Sequence, residues 1–196
     1  MSNKVYVFGG PNGVGKSTLG NQYSRNHNIR FVNPDQINID QEILHGEPLS
    51  NIELNYVIDT YIRSAIESEE HVLIENNLHN KESFKFLLSY IHAYRAKSFC
   101  YFYYLDNVNE LVRRVKMRAE HLGNIVSEET VRERYIGSFN MILSEVNSFD
   151  EIHFFDVSNL IPIKVFEVFK GELNYINEKE EFEWSNRMMD QILSRD

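Results

Sequence analysis

The sequence predicts an α/β fold, a mainly parallel sheet flanked by helices, with a C-terminal hairpin and helix. Two observations predict it. Short apolar runs alternate with longer stretches of helical periodicity, the pattern of strands joined by crossover helices. The stretch Phe8–Thr18 reads G-x-x-x-x-G-K-S from Gly10 to Ser17, between a strand-like run and a helical one. Strand, glycine loop and helix in that order make a P-loop, whose backbone N–H groups and helix N-terminus cradle phosphate. A nucleoside-triphosphate site is therefore expected.

Composition bounds the rest. The 196 residues suffice for one α/β domain over 1–196 with a substantial core. No apolar run reaches 18 residues, so no membrane-spanning helix is expected. The N-terminus enters a strand within four residues, which leaves no room for a signal peptide. The single cysteine, Cys100, sits in an apolar run and reads as a reduced core residue, so a cytoplasmic location is expected. A net charge of -9 argues against broad nucleic-acid or anionic-membrane binding. Six of the 20 Lys and Arg residues nevertheless fall between Arg113 and Arg134, a local basic patch suited to phosphate.

The elements follow in order. Val5–Phe8 is a continuous apolar run, as in a strand buried on both faces. A helix over Lys16–Asn26 leads out of the glycine loop. Arg30–Asn33 is a short second strand. Pro34 and Asp35 open a helix to about Leu44, broken by Gly46-Glu47-Pro48. Leu54, Ile58, Tyr61, Ile62 and Ala65 mark one face of a long helix. His71–Glu75 is the third strand, Phe84, Leu87, Leu88 and Ile91 mark another helix, and Lys97–Leu105 is a long aromatic strand. Asn107 with Glu110 resembles a capping box at the start of a helix that stops near Gly123. Ser127 caps the next, striped by Val131, Tyr135, Phe139, Ile142 and Val146. Ile152–Val157 is the fifth core strand. Lys170-Gly171 joins Ile163–Phe169 to Leu173–Ile176 as a hairpin, and Glu180–Ser194 is a terminal helix.

The chemistry concentrates at strand ends. Gly10, Pro11, Asn12, Gly13, Val14 and Gly15 supply the cradle, with Thr18 in the first helical turn. Lys16 can reach the β- and γ-phosphates of ATP, and the Ser17 hydroxyl can ligate Mg²⁺. In open α/β sheets ligands bind at the carboxyl ends of the strands, where Asp35 and Glu75 fall. Asp35 can accept a proton from an attacking hydroxyl, or merely cap its helix. Glu75 can hold an Mg²⁺-bound water or grip a substrate hydroxyl. Asn76 and Asn77 suit a polar, uncharged ligand. Arg114 and Arg118 share a helix flank. Arg132 and Arg134 point about 200° apart, so only one of them can reach a given ligand. Arg113 and Lys116 read as solvated. Leu122–Val126 is placed to cover the nucleotide. The histidines show no metal-cage spacing.

Taken together, Gly9–Thr18, Phe31-Val32-Asn33-Pro34-Asp35, Leu73-Ile74-Glu75 and the segment from Arg114 through Arg118 and Gly123 to Tyr135 resemble the zeta-toxin-like family of P-loop kinases. The similarity spans roughly residues 4–160. It implies a nucleoside-monophosphate-kinase-like fold, a lid region at about 114–134 and a C-terminal extension at about 160–196. It also implies transfer of the ATP γ-phosphate to a hydroxyl, in the best-known members one of UDP-N-acetylglucosamine. On this resemblance Asp35 is the general base, Glu75 and Asn77 face the substrate, and Arg118 and Arg134 contact ATP phosphates, with Arg114 beside them. A protein antitoxin is a candidate partner on the same ground. Two departures stand out. Asn76-Asn77 replaces Thr-Thr in the substrate pocket, and Leu122-Gly123-Asn124 replaces Gly-Gly-His in the lid. The other function class open to the sequence is an ATP-hydrolysing switch protein with no small-molecule acceptor.

Overall fold

The structure, a computed structural model, describes residues 3–122, 126–179 and 181–195. The chain runs β1 (Lys4–Gly9), α1 (Lys16–His27), β2 (Arg30–Val32), α2 (Pro34–His45), α3 (Asn51–Glu67), β3 (Val72–Asn76), α4 (Lys81–Ala93), β4 (Lys97–Tyr104), α5 (Val108–Leu122), α6 (Glu128–Ser144), β5 (Glu151–Asp156), β6 (Ile163–Phe169), β7 (Glu172–Ile176) and α7 (Glu183–Leu193). The strands form one seven-stranded sheet in the order β2-β3-β1-β4-β5-β6-β7. The first five are parallel, and β6 and β7 add an antiparallel hairpin at one edge.

β1 lies near the middle of the sheet, and this is why its sequence is apolar without alternation. Val5 and Val7 pack into one core layer, with Ile62, Phe102, Phe154 and Trp184. Tyr6 and Phe8 pack into the other, with Val14, Leu111 and Val131. The parallel order brings the carboxyl ends of β1, β2 and β3 to one edge, where the loops after them converge. At the far end of the chain, the Trp184 indole donates to Asp156 Oδ2 at 2.8 Å. Both groups are buried, so this bond satisfies a polar pair while α7 docks on the sheet.

Three sequence expectations need correction. Tyr61 belongs to the apolar stripe of α3 by spacing, yet it is 41% exposed. Ile58, Ile62 and Ala65 make the buried face, and the Tyr61 ring instead lies under the Arg30 guanidinium at 6.0 Å. At the start of α5 only half of the capping box forms. Asn107 accepts the Glu110 N–H, but the Glu110 carboxylate turns to Arg113 and Arg114. The complete capping box lies at α3, between Ser50 and Glu53. The terminal helix begins at Glu183 rather than Glu180, since Glu181 and Phe182 stand outside it with Phe182 as its N-cap; the expected end of α5 near Gly123 lies outside the described residues. Among the described residues no helix is long and apolar enough to cross a membrane.

Candidate active site

The loop after β1 is shaped by glycine. Gly10 has φ 131°, and a Cβ there would lie 2.2 Å from the Tyr103 carbonyl oxygen, so only glycine lets the loop lie against β4. Gly15, at φ 91°, is the N-cap of α1 and offers no side-chain cap, and the first turn carries no acidic residue. The orphan N–H groups of that helix end and its positive pole are thus left open to an anion. Val14 turns inward and is buried in the core, which anchors the loop from below.

Lys16 is 4% exposed. Its ammonium donates to the carbonyls of Gly10 (2.7 Å) and Pro11 (2.9 Å) and to Asn77 Oδ1 (2.9 Å). Burial pushes its pKa down to about 8, with the carboxylates of Glu75 and Asp35 opposing the fall. The Ser17 hydroxyl donates to Glu75 Oε1 at 3.1 Å. Glu75 is 8% exposed, and its second oxygen, Oε2, has no hydrogen-bond partner among the described residues. Burial raises its pKa, against the pull of Lys16 and the Ser17 hydrogen bond. A hydroxyl and a half-satisfied carboxylate at a phosphate cradle fit a hard divalent cation, which takes oxygen ligands and keeps several waters. Ser17 and Glu75 are the residues that would hold Mg²⁺.

Asp35 stands in the first turn of α2. The cap of that helix is Asn33, whose Oδ1 accepts the Gln36 N–H at 3.2 Å. The helix end is thereby satisfied without Asp35. Asp35 is shared by two cavities, lining both. The first, of about 590 Å³, is bounded by β3, α3 and α4 and by Arg134. The second, of about 490 Å³, is reached by Ser17, Thr18 and Arg118.

The arginines separate. Arg134 lines the first cavity and donates to Asn12 Oδ1 of the glycine loop at 3.0 Å, while its buried Nε has no partner among the described residues. Arg132 turns the other way, to Glu128 and Asn109. Arg118 is exposed on the rim of the second cavity. Arg114 is not brought to either cavity; Glu110 and the Val157 carbonyl hold it. Arg113 and Lys116 make surface pairs with Glu110 and Glu128. Residues 123–125, in the segment expected to cover the nucleotide, lie outside the described residues. Sequence reasoning missed His79, whose pKa is lowered by burial and the nearby Arg134 charge. It also missed Asn80 and Glu82 on the cavity wall. The signal for Asn80 was present, an asparagine four residues ahead of the amphipathic face that Phe84 opens, the usual place of an N-cap.

No family model matches the chain, and no curated protein matches it in sequence. Solved structures do match. A chain of the PezAT chromosomal toxin–antitoxin system of Streptococcus pneumoniae superposes with a TM-score of 0.64 at 12% identity, over 99% of this chain and 86% of that one. The AvrRxo1-ORF1:AvrRxo1-ORF2 complex with ATP gives 0.62 at 11% identity, over 97% and 64%. A chain of the Pnkp1/Rnl/Hen1 RNA repair complex gives 0.60 at 18% identity, over 83% of this chain and 48% of that one. The present chain thus spans about half the length of the last. The fold is that of the P-loop kinases. It has their mainly parallel sheet with helices on both faces, in the nucleoside-monophosphate-kinase-like arrangement. The likeness to zeta-toxin-like kinases, first read from motifs, holds at the level of the fold.

Proposed function

We propose that this chain is an ATP-dependent kinase that transfers the γ-phosphate to a hydroxyl of a small molecule. The observation that carries the reading is Asp35, which Asn33 relieves of capping and which the two cavities share. A carboxylate so placed can take the proton of an acceptor hydroxyl as it attacks. The neighbour solved with ATP supports a nucleotide site of this kind.

In this reading the glycine loop, the open end of α1 and Lys16 bind the β- and γ-phosphates. Lys16 leaves its resting partners for the phosphates, whose negative charge favours its protonated form. Arg134 and Arg118 approach from either side of the transferring group and stabilise its charge. Mg²⁺, when bound by Ser17 and Glu75, supplies charge neutralisation to the phosphates. Asp35 orients the acceptor hydroxyl and takes its proton as the new O–P bond forms. The bond between the γ-phosphorus and the bridging oxygen breaks, and ADP leaves with that oxygen. The zeta-toxin resemblance suggests a UDP-amino sugar as acceptor and a neutralising antitoxin as partner, although Asn76-Asn77 in place of Thr-Thr departs from that family in the acceptor pocket.

The test is phosphoryl transfer from Mg·ATP to a panel of hydroxyl compounds, read as acceptor-dependent ADP release and as product mass. The proposal expects transfer that Lys16→Ala abolishes. ATP hydrolysis that no acceptor accelerates would favour a switch protein instead.

A further inference from the structure

The first cavity is built to bind hydroxyls and to refuse phosphate. Seven of its 19 lining residues are asparagine, so amides dominate its polar surface. In five of them the side-chain oxygen is already engaged by the protein. Asn33 accepts from Gln36, Asn38 from Leu49, Asn76 from Leu78, Asn77 from Lys16, and Asn80 from Glu82 and Ser83. Their amide nitrogens make no hydrogen bond among the described residues, and so remain as neutral N–H donors. The charged acceptors are the carboxylates of Asp35, Glu75 and Glu82, with the amide oxygens of Asn51 and Asn55 as neutral ones. A hydroxyl both donates and accepts, so it satisfies both sets at once. A phosphate satisfies only the donors and is repelled by the acids.

The two usual ways to hold a phosphate are closed here. Arg134 is the one Lys or Arg among the lining residues, and it reaches toward the glycine loop through Asn12. The N-termini of α2, α3 and α4 all meet this cavity, through Pro34, Asn51 and Asn80–Ser83. An open helix end binds anions, but each of these carries its own cap: Asn33, Ser50 and Asn80. Each first turn also holds an acid, Asp35, Glu53 or Glu82, which consumes the positive pole. Leu54, Ile58 and Leu87 supply an apolar wall for a ring face.

Resting on the kinase reading above, we infer that the acceptor is an uncharged polyol with one apolar face, a free or N-acylated sugar or a nucleoside. Its phosphorylated and diphosphate-linked forms are rejected.

The test uses matched pairs and the full chain with Mg·ATP. N-acetylglucosamine is set against its 1-phosphate and its UDP conjugate, glucose against glucose 1-phosphate, and nucleosides against their monophosphates and a 5′-hydroxyl oligonucleotide. The inference expects kcat/KM for the uncharged member to exceed that of its charged partner by about tenfold or more, the scale at which a polar site rejects a mismatched analogue. The sugar and nucleoside arms tell which polyol is meant. Glu82→Gln, on the exposed cavity rim, should narrow the ratio by raising turnover of the charged partner. Equal or preferred turnover of the charged member overturns the inference and leaves the kinase reading standing. ATP binding with no turnover of any uncharged compound overturns it as well. Failure to bind ATP at all removes the kinase reading itself.

Discussion

Four helices begin at the ligand edge of the sheet, and they begin in two different ways. α1 starts from a left-handed glycine, with no side-chain cap and no acid in its first turn. α2, α3 and α4 start from Asn33, Ser50 and Asn80, each capped by its own side chain and followed by an acid. A helix end left unsatisfied holds its dipole and its N–H groups in reserve for an anion, whereas a capped end has already used them. The comparison teaches that one edge of one sheet can present a phosphate site and a phosphate-excluding site side by side.

The comparison can be broken first at the uncapped end. Lys16→Ala removes the cation that serves α1's cradle, and phosphoryl transfer should fall by about 10²–10³-fold or more, the cost of losing one preorganised donor at a developing charge. Steady-state kinetics with thermal melting checks this, and full turnover would refute it. Next comes the bridge between the regions. Arg134→Lys should lower transfer by about tenfold, one charge-assisted hydrogen bond, because an ammonium cannot keep Asn12 and grip phosphate as a planar fork does. Arg132→Lys, made in parallel, should leave the rate unchanged.

A subtler effect is protonic. With its pKa near 8, Lys16 is mostly neutral in the free protein at about pH 9 and charged at about pH 6.5. ATP favours the charged form, so binding at the higher pH should take up close to one proton, and binding at the lower pH should take up none at this group. Calorimetry in buffers of different ionisation enthalpy reads the uptake directly, and Lys16→Met should abolish it. The smallest effect belongs to the capped ends. Ser50→Ala, at the cap of α3 and outside both cavities, should cost about 0.5–2 kcal/mol of stability by chemical denaturation, the usual loss on removing a cap. Per folded molecule, its rate should be retained.

The uncapped region was legible in the sequence almost to the residue, because the glycines, Lys16 and Ser17 are local and their spacing is set by the phosphate itself. The strand order was legible in outline, since parallel strands buried on both faces betray themselves by unbroken apolar runs. The capped region was legible only in part, through Asp35, Glu75, Asn76 and Asn77 at the strand ends. Its chemistry comes from asparagines spread from Asn33 to Asn80, which only the crossovers of the sheet bring together. The arginines were half legible. Periodicity established that Arg132 and Arg134 diverge, but the choice of Arg134 depends on its reach to Asn12, 122 residues away in sequence. Arg114 was misplaced because a helix flank does not reveal that Glu110 and Val157 will hold the side chain.

The central claim is that Asp35 serves the acceptor hydroxyl while Asn33 serves the helix. The direct measurement is the single-turnover transfer rate of Asp35→Asn, taken with its ATP dissociation constant and melting temperature on the same preparation. The account predicts a rate lower by about 10²–10⁴-fold, the usual cost of a lost general base, with ATP affinity and melting temperature unchanged. Full transfer in that variant, or a loss that tracks a lowered melting temperature, would contradict it and make Asp35 a structural residue of α2.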